Sequence, residues 1–332
     1  MNIELKNKFK YHFTVALLSF LSLFCGAIGI MYRIEGLLML PLTSAFIGAL
    51  ISVEKRKIAS VTVSALLIVG ELIFGFMNYF TFTSLSSVIA AVIISVFYLK
   101  KMNKSESAVL STLLISVMIF VTAVVYIIST TEASTVVEAY EYFVSVYNGF
   151  KENVIASVLS MSAESGVENP TLTYEYLNEM FGAYLNCIPA IVIIIAFALV
   201  GLAHKIFCKL IHAYSKDSDQ IARWQFFPSS AFAYFYFGVL LCTLFAMDTA
   251  SVIAVSILNL YLIFMFIFAY VGYRFAIALM SSRGKSKAFA HLTVLALILL
   301  LSSISLQLLA ALGAFEIIKY FKIRKFMDSK KQ

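Results

Sequence analysis

Apolar runs of about 20 residues recur along almost the whole chain, and this recurrence limits the fold more than any other feature of the sequence. A helix of about 20 residues is long enough to cross a hydrocarbon layer of ~30 Å. In lipid, each backbone N–H and C=O group needs a partner inside the protein, and a helix supplies one. Charged residues make up 13% of the chain, about half the share found in soluble domains. The sequence therefore predicts an all-α fold, a polytopic transmembrane helix bundle.

Nine apolar segments are predicted to span the membrane. They lie at about 12–31, 34–53, 58–77, 80–99, 107–129, 183–203, 230–249, 251–275 and 288–312. The first segment follows three lysines, as a signal peptide would. It is too long for one, and no small-residue cleavage site follows it, so we interpret it as an uncleaved first span.

Basic clusters follow every even-numbered segment, and short inner loops of membrane proteins are enriched in Lys and Arg. This pattern predicts an N-terminus on the cytoplasmic side. The C-terminal "KYFKIRKFMDSKK" conflicts with it, because a ninth span would place these six basic residues outside. Three explanations stay open: a true exception, a segment that is re-entrant or wrongly divided, or a tail along the membrane surface.

The largest segment between predicted spans, 130–182, carries eight glutamates and one basic residue, Lys151. Apolar residues recur in its first half at steps of mostly three and four, which predicts an amphipathic helix packed on the bundle or lying at the membrane interface. Gly and Pro in "SAESGVENPT" (162–171) end this helix, and a second short helix follows. The segment is either a structural cap on the outer side or a lid over a substrate entrance.

No set of residues in the sequence has the spacing of a catalytic site, so we predict that the protein is not an enzyme. The four histidines and four cysteines lack the spacing of a metal site. "HKIFCKLIH" (204–212) places two histidines and a cysteine on one helix, but a fourth ligand is missing. We therefore predict no metal and no cofactor. The basic residues lie in clusters between apolar runs, which excludes nucleic acid as the expected partner.

Two polar residues inside predicted spans are candidates for ligand binding. Glu71 lies within "LLIVGELIFGFM", where a carboxylate is costly unless it has a function or a partner. Proton or cation coupling, substrate contact and a structural hydrogen bond to a neighbouring helix all stay open for it. Asn259 lies within the eighth span, where an interhelical hydrogen bond is also expected. Arg223 and the single tryptophan, Trp224, are predicted to anchor the chain at the membrane interface.

Several landmarks occur in order along residues 10–326. They are "LPLTSAFIGALISVEKRKIA", "NCIPAIVIIIAFALVGLAHKIF", "ARWQFFPSSAFAYFYFG", "ILNLYLIFMFIFAYVGYRFA" and "LLAALGAFEIIKYFKIRK". In this order they resemble the YybS family of Gram-positive bacterial membrane proteins, which has been grouped with the substrate-binding S-components of energy-coupling-factor transporters. The resemblance implies an S-component-like six-helix unit at 1–212 that includes the outer segment 130–182. A cytoplasmic linker at 213–229 and a three-helix unit with a basic tail at 230–332 would follow.

The resemblance implies a transport protein of the bacterial plasma membrane that binds a small molecule among its first six spans. Its expected partners are the lipid bilayer and a membrane-embedded coupling subunit or ATPase. Ala45 and Ala49, four residues apart, are predicted to form a small-residue surface for such docking. The alternative is a membrane scaffold or regulator that recruits a partner through its cytoplasmic loops.

Overall fold

The computed structural model describes residues 3–31, 34–54, 56–78, 83–99, 104–164, 173–214, 228–245 and 251–329. These residues contain helices and no strands, which confirms the predicted fold class. The helices are α1 (Ile3–Met31), a 3-10 helix (Ile34–Met39), α2 (Leu40–Val53), α3 (Ile58–Asn78), α4 (Thr83–Leu99), α5 (Lys104–Thr130), α6 (Val136–Glu164), α7 (Tyr174–Asn186), α8 (Ile188–Tyr214), α9 (Ser230–Phe245), α10 (Val252–Ser282) and α11 (Lys287–Ser329).

Each of the nine predicted spans coincides with a helix, namely α1 to α5 and α8 to α11. Within the described residues, five stretches are long and apolar enough to cross a membrane, and they lie in α1, α5, α8, α10 and the second half of α11. Five further apolar stretches of 10–17 residues lie in α2, α3, α4, α9 and the first half of α11.

The chain divides into two compact units, and unit 1 consists of Met1–Asn178 and Ile195–Gln225. Its core is formed by α1 to α4 and the second half of α8. The hydroxyl of Ser95 on α4 donates to the carbonyl of Gly48 on α2 at 3.1 Å, so these two helices lie close together. Ala45 and Ala49 are fully buried in this core. The prediction that they form an exposed docking surface is therefore wrong, because close helix packing inside the bundle requires the same small residues.

Unit 2 consists of Glu179–Ile194 and Phe226–Gln332. Its core is rich in aromatic residues: the ring of Tyr236 on α9 lies 5.2 Å from that of Phe268 on α10. Gly272 and Gly313 bring the backbones of α10 and α11 into contact, and a Cβ added to Gly272 would lie 1.9 Å from the Leu309 carbonyl oxygen. The predicted domain limits 1–212, 213–229 and 230–332 stay a prediction.

The segment 130–182 contains α6 and most of α7, as its periodicity predicts. Ile155 of α6 is buried, and the predicted apolar stripe is half-buried from Val144 onward. At the start of α6 the same stripe is uncovered, because Val137 is 66% and Tyr140 61% exposed. The predicted stripe is therefore covered only from Val144 onward, although Ala139 on another face of the helix start is fully buried.

Candidate functional site

Glu54 is a buried carboxylate that holds the start of α3. It follows the last residue of α2, and its two oxygens accept hydrogen bonds from the backbone N–H groups of Ala59 at 2.7 Å and Ser60 at 2.9 Å. These are first-turn amides, which have no partner inside their own helix. Burial alone would raise the pKa of this carboxyl, but the hydrogen bonds from Ala59 and Ser60 outweigh it and lower the pKa below its ordinary value of 4.5.

Glu71 makes the same arrangement one helix later. It is 4% exposed, and its carboxylate accepts hydrogen bonds from the start of α4. The donors are the Thr83 hydroxyl at 3.0 Å and the backbone N–H groups of Ser84 at 2.9 Å and Leu85 at 3.0 Å. A negative charge is favourable at a helix N-terminus, where the helix dipole is positive. Glu71 therefore fastens α3 to the first turn of α4.

This geometry gives Glu71 the hydrogen bond to a neighbouring helix that was one of its three open roles. The Thr83 hydroxyl also approaches the carbonyl of Gly29 on α1 at 3.4 Å. The end of α1, the end of α3 and the start of α4 therefore meet around one carboxylate. Ligand binding by Glu71 stays a prediction.

Hydroxyl groups surround this point of unit 1. The first turns of α4 bury four of them: Thr83, Ser84, Ser86 and Ser87. The Ser87 hydroxyl donates to the Thr83 carbonyl at 2.7 Å. The Ser84 hydroxyl is buried without a hydrogen-bond partner among the described residues. A buried polar group without a partner is unusual in a folded protein and needs an explanation, such as an occupant of the site.

Asn259, the second candidate, holds the junction between α7 and α8 within unit 2. Its Oδ1 accepts from the backbone N–H of Ala190 at 2.9 Å, in the first turn of α8. Its Nδ2 donates to the carbonyl of Asn186, the last residue of α7, at 2.7 Å, and to that of Val255 at 2.9 Å. Both amide hydrogens are therefore in use. The expected interhelical hydrogen bond is present, while ligand binding by Asn259 stays a prediction.

The remaining predicted residues lie apart from these contacts. In "HKIFCKLIH", His204 is buried, Cys208 is half-buried and His212 is exposed. No group of His, Cys, Asp and Glu that could hold a metal ion occurs in the part of the chain that the structure describes. The predicted anchors Arg223 and Trp224 lie outside the described residues.

Within the segment 130–182, side chains join α6 and α7. The Tyr174 hydroxyl donates to both carboxylate oxygens of Glu152, at 2.8 and 2.9 Å. Lys151 donates to the side-chain oxygen of Asn178 at 2.7 Å. The hydrogen bond to Glu152 raises the pKa of Tyr174 above its ordinary value of 10.0, because the proton is held between the two groups. These contacts hold α7 against α6. They are compatible with both roles predicted for the segment, a structural cap and a lid.

Sequence reasoning overlooked Glu54 and Ser84. Glu54 opens "EKRK", the basic cluster that follows the second predicted span. Its position a few residues before the next apolar run is the one signal that would have predicted a helix cap. Ser84 carries no such signal, since serine is common at the start of a helix.

The family model described as Predicted membrane protein (DUF2232) matches residues 15–317, about nine-tenths of the chain. The chain belongs to this family. No curated protein and no solved structure matches it. Both the DUF2232 match and the long apolar helices indicate an integral, multi-pass membrane protein.

Proposed function

We propose that this DUF2232 protein binds a small polar molecule in unit 1 and takes part in its transport across the bacterial plasma membrane. The observation that carries the proposal is the buried hydroxyl of Ser84 beside Glu71, which has no hydrogen-bond partner among the described residues and lies within the hydroxyl-rich first turns of α4. Leaving such a group unpaired costs about 1–3 kcal/mol. A bound polar molecule would recover this free energy.

The interior chemistry supports a binding role over a purely structural one. Gly, Ala, Ser and Thr all let helices approach closely in lipid, and because α4 uses Thr83, Ser84, Ser86 and Ser87, its packing also brings four buried hydroxyl groups together. Glu71 accepts three hydrogen bonds, and a carboxylate has about four acceptor positions. It can therefore hold the helix and still accept one hydrogen bond from a ligand.

The resemblance to the YybS family and to S-components supplies the rest of the proposal. The protein would be a non-enzymatic binding component with its N-terminus in the cytoplasm. It would work with a membrane-embedded coupling subunit or an ATPase. The Glu-rich α6 and α7 would then lie on the outer side, where a cap or lid over the entrance is needed.

A scaffold or regulatory role is the second candidate, and one observation favours it. Lys205, Lys209 and His212 lie at steps of four and three on α8 and are all exposed. One face of this helix end therefore presents two lysines beside a histidine, and an acidic partner protein would fit the lysines. Under this role, function is lost when Lys205 and Lys209 are replaced and survives replacement of Glu71.

The test of the transport proposal is mass spectrometry of small molecules retained by the full chain purified in mild detergent. Wild type is expected to retain one compound, and Ser84→Ala is expected to lose it. Ser22→Ala is the matched control, because Ser22 is also buried but its hydroxyl donates to the Leu18 carbonyl at 2.7 Å. Equal retention by Ser84→Ala and wild type, or no retained compound at all, would contradict the proposal.

A further inference from the structure

Helix α11 cannot be straight, because two distant parts of it contact the same place on α10. His291 Nδ1 lies 2.7 Å from the Tyr273 hydroxyl. The Leu309 carbonyl lies against the backbone of Gly272, next to Tyr273. A straight helix would separate the Cα atoms of His291 and Leu309 by about 27 Å. The path that joins these two Cα atoms runs through the His291 and Tyr273 side chains and the backbone of Gly272. This path is at most about 22 Å long. Helix α11 is therefore sharply bent between these residues.

The sequence provides a reason for the bend in "SSIS", residues 302–305. Sharp kinks in helices occur at proline, at Gly or Ser pairs and at local bulges. We name residues 287–301 the first arm of α11 and residues 304–329 the second arm. The first arm, at about 1.5 Å per residue, is some 22 Å long and too short to cross a membrane of ~30 Å alone.

The two arms run in opposite directions along α10. In the first arm, Ala290 and Val294 pack with Ile277 near the end of α10, as in an antiparallel hairpin. In the second arm, Gln307 forms a side-chain hydrogen bond with Tyr261, which precedes Gly272 by about 16 Å along α10. Since Leu309 lies at Gly272, the second arm advances in the direction of α10. It therefore returns toward the end of α10 from which the first arm started.

Both groups of basic residues consequently face the same end of α10. The turn between α10 and α11 contains Arg283, Lys285 and Lys287, all exposed, and the second arm adds exposed Lys319 and Lys322. Gly284, with φ +80°, closes the turn, and the Lys285 N–H donates to the Met280 carbonyl at 3.3 Å. The turn is therefore a defined structure that holds its cations in place.

We propose that α11 is a re-entrant hairpin, and that the turn and the second arm form a surface that binds the phosphates of anionic lipid headgroups. The charges fit this occupant, because the sequence contains no Asp or Glu between Asp248 and Glu316. Apolar side chains that suit acyl chains lie beside the turn: Leu279, Phe289 and Leu292 are 41%, 50% and 68% exposed. Lys285 lies 5.7 Å from the centre of the Phe289 ring, where the basic turn meets the exposed apolar side chains.

Hydrogen-bond and packing contacts within unit 2 carry this inference, and it does not depend on ligand binding in unit 1. It also bears on the conflict between the basic tail and the orientation rule, since it brings the second arm to the same end of α10 as the basic turn that follows the eighth predicted span. The second arm contains two acidic residues, Glu316 and Asp328. The carboxylate of Glu316 is 3.8 Å from Lys319. Lys319 is exposed and Glu316 is half-buried, and no ion pair among the described residues involves the cations of the turn.

Cysteine labelling tests the hairpin. Single cysteines are placed at Ser286 in the turn, Ser329 in the second arm and Ser145 in α6, in a chain whose four native cysteines are replaced by serine. A membrane-impermeant maleimide is applied to sealed vesicles of one orientation. Labelling of Ser286→Cys and Ser329→Cys from the same side, with Ser145→Cys from the other, is the expected result. Labelling of Ser329→Cys from the side opposite to Ser286→Cys would overturn the hairpin.

Lipid retention tests the surface. The full chain is purified from mixed phosphatidylglycerol and phosphatidylcholine, and the retained lipids are measured by native mass spectrometry. Arg283→Ala with Lys285→Ala is expected to lower retained phosphatidylglycerol several-fold, while inorganic phosphate does not displace it. The matched control removes two exposed cations elsewhere, Lys205→Ala with Lys209→Ala, and is expected to keep the lipid. Equal losses in the two double variants, or equal retention of both lipids by wild type, would refute the surface.

Discussion

Replacement of Gly272 by alanine is expected to destabilise unit 2, because the backbones of α10 and α11 touch at this residue. A Cβ at Gly272 would lie 1.9 Å from the Leu309 carbonyl oxygen, and one at Gly313 would lie 2.1 Å from the Phe268 carbonyl oxygen. Both obstacles are backbone atoms, which cannot change rotamer to make room. The helices would have to separate by about 1 Å or more, which removes the close packing that holds helices together in lipid.

The magnitude is a balance of two opposing effects. Alanine is favoured over glycine inside a helix by about 0.5–1 kcal/mol. Forcing an extra carbon into a closely packed contact costs typically about 1–3 kcal/mol. Since no side chain can move aside here, we place the cost near the upper end and expect a net loss of about 2 kcal/mol. Gly238 on α9 offers a matched control in the same unit, because a Cβ there meets nothing within 4 Å.

The assay is reversible unfolding of the purified full chain in mixed micelles, with increasing fractions of a denaturing detergent. Gly272→Ala and Gly313→Ala are expected to unfold earlier than wild type, and Gly238→Ala is expected to unfold at the same point or slightly later. If Gly272→Ala and Gly238→Ala behave alike, the inferred backbone contact is wrong.

Three further predictions concern the polar contacts. Glu71→Ala should lower the free energy of unfolding by about 1–3 kcal/mol, because the amides of Ser84 and Leu85 lose their acceptor, and Glu71→Gln should lose less; equal stability of all three proteins would contradict the helix-capping role. The pKa of Glu54 is lowered, so its contribution to the free energy of unfolding is complete above its ordinary value of 4.5 and is lost as the pH falls below it. The unfolding midpoint should therefore decline with falling pH in wild type and change less in Glu54→Gln. Parallel pH profiles of the two proteins would count against this assignment. Asn259→Ala should destabilise unit 2 by about 1–3 kcal/mol, and Asn259→Asp should recover only part of this, since it can accept from Ala190 but cannot donate to Asn186; full recovery in the same unfolding assay would contradict the assigned hydrogen bonds.

The apolar segments were predictable because the cost of placing backbone in lipid leaves few alternatives to helices. The hydrogen-bond partners of the polar residues were not predictable in this way. Glu71 was recognisable as a costly residue, but its partners follow it by 12 to 14 positions, and only the packing of α3 on α4 brings them together. Ala45 and Ala49 show a related difficulty. A four-residue spacing of small side chains is the same inside a bundle and on its surface, so the sequence alone could not decide between them.

The last helix shows why hydropathy misses a bend. The predicted span 288–312 is apolar on both sides of its serines, and nothing in that pattern distinguishes one straight span from two arms. The basic tail was the only signal of a problem. The contacts of His291 and Leu309 show the bend that the hydropathy pattern misses.

The proposed binding of a small molecule at the start of α4 is tested most directly by the reactivity of a cysteine at position 84. Ser84 is 2% exposed and Ser22 is 0% exposed, so neither Ser84→Cys nor Ser22→Cys should react if both sites are closed packing. If the site admits small polar molecules, Ser84→Cys will react with a small, charged thiol reagent, the retained compound will protect it, and Ser22→Cys will stay unreactive. An unreactive Ser84→Cys, or one that the compound does not protect, would contradict the account.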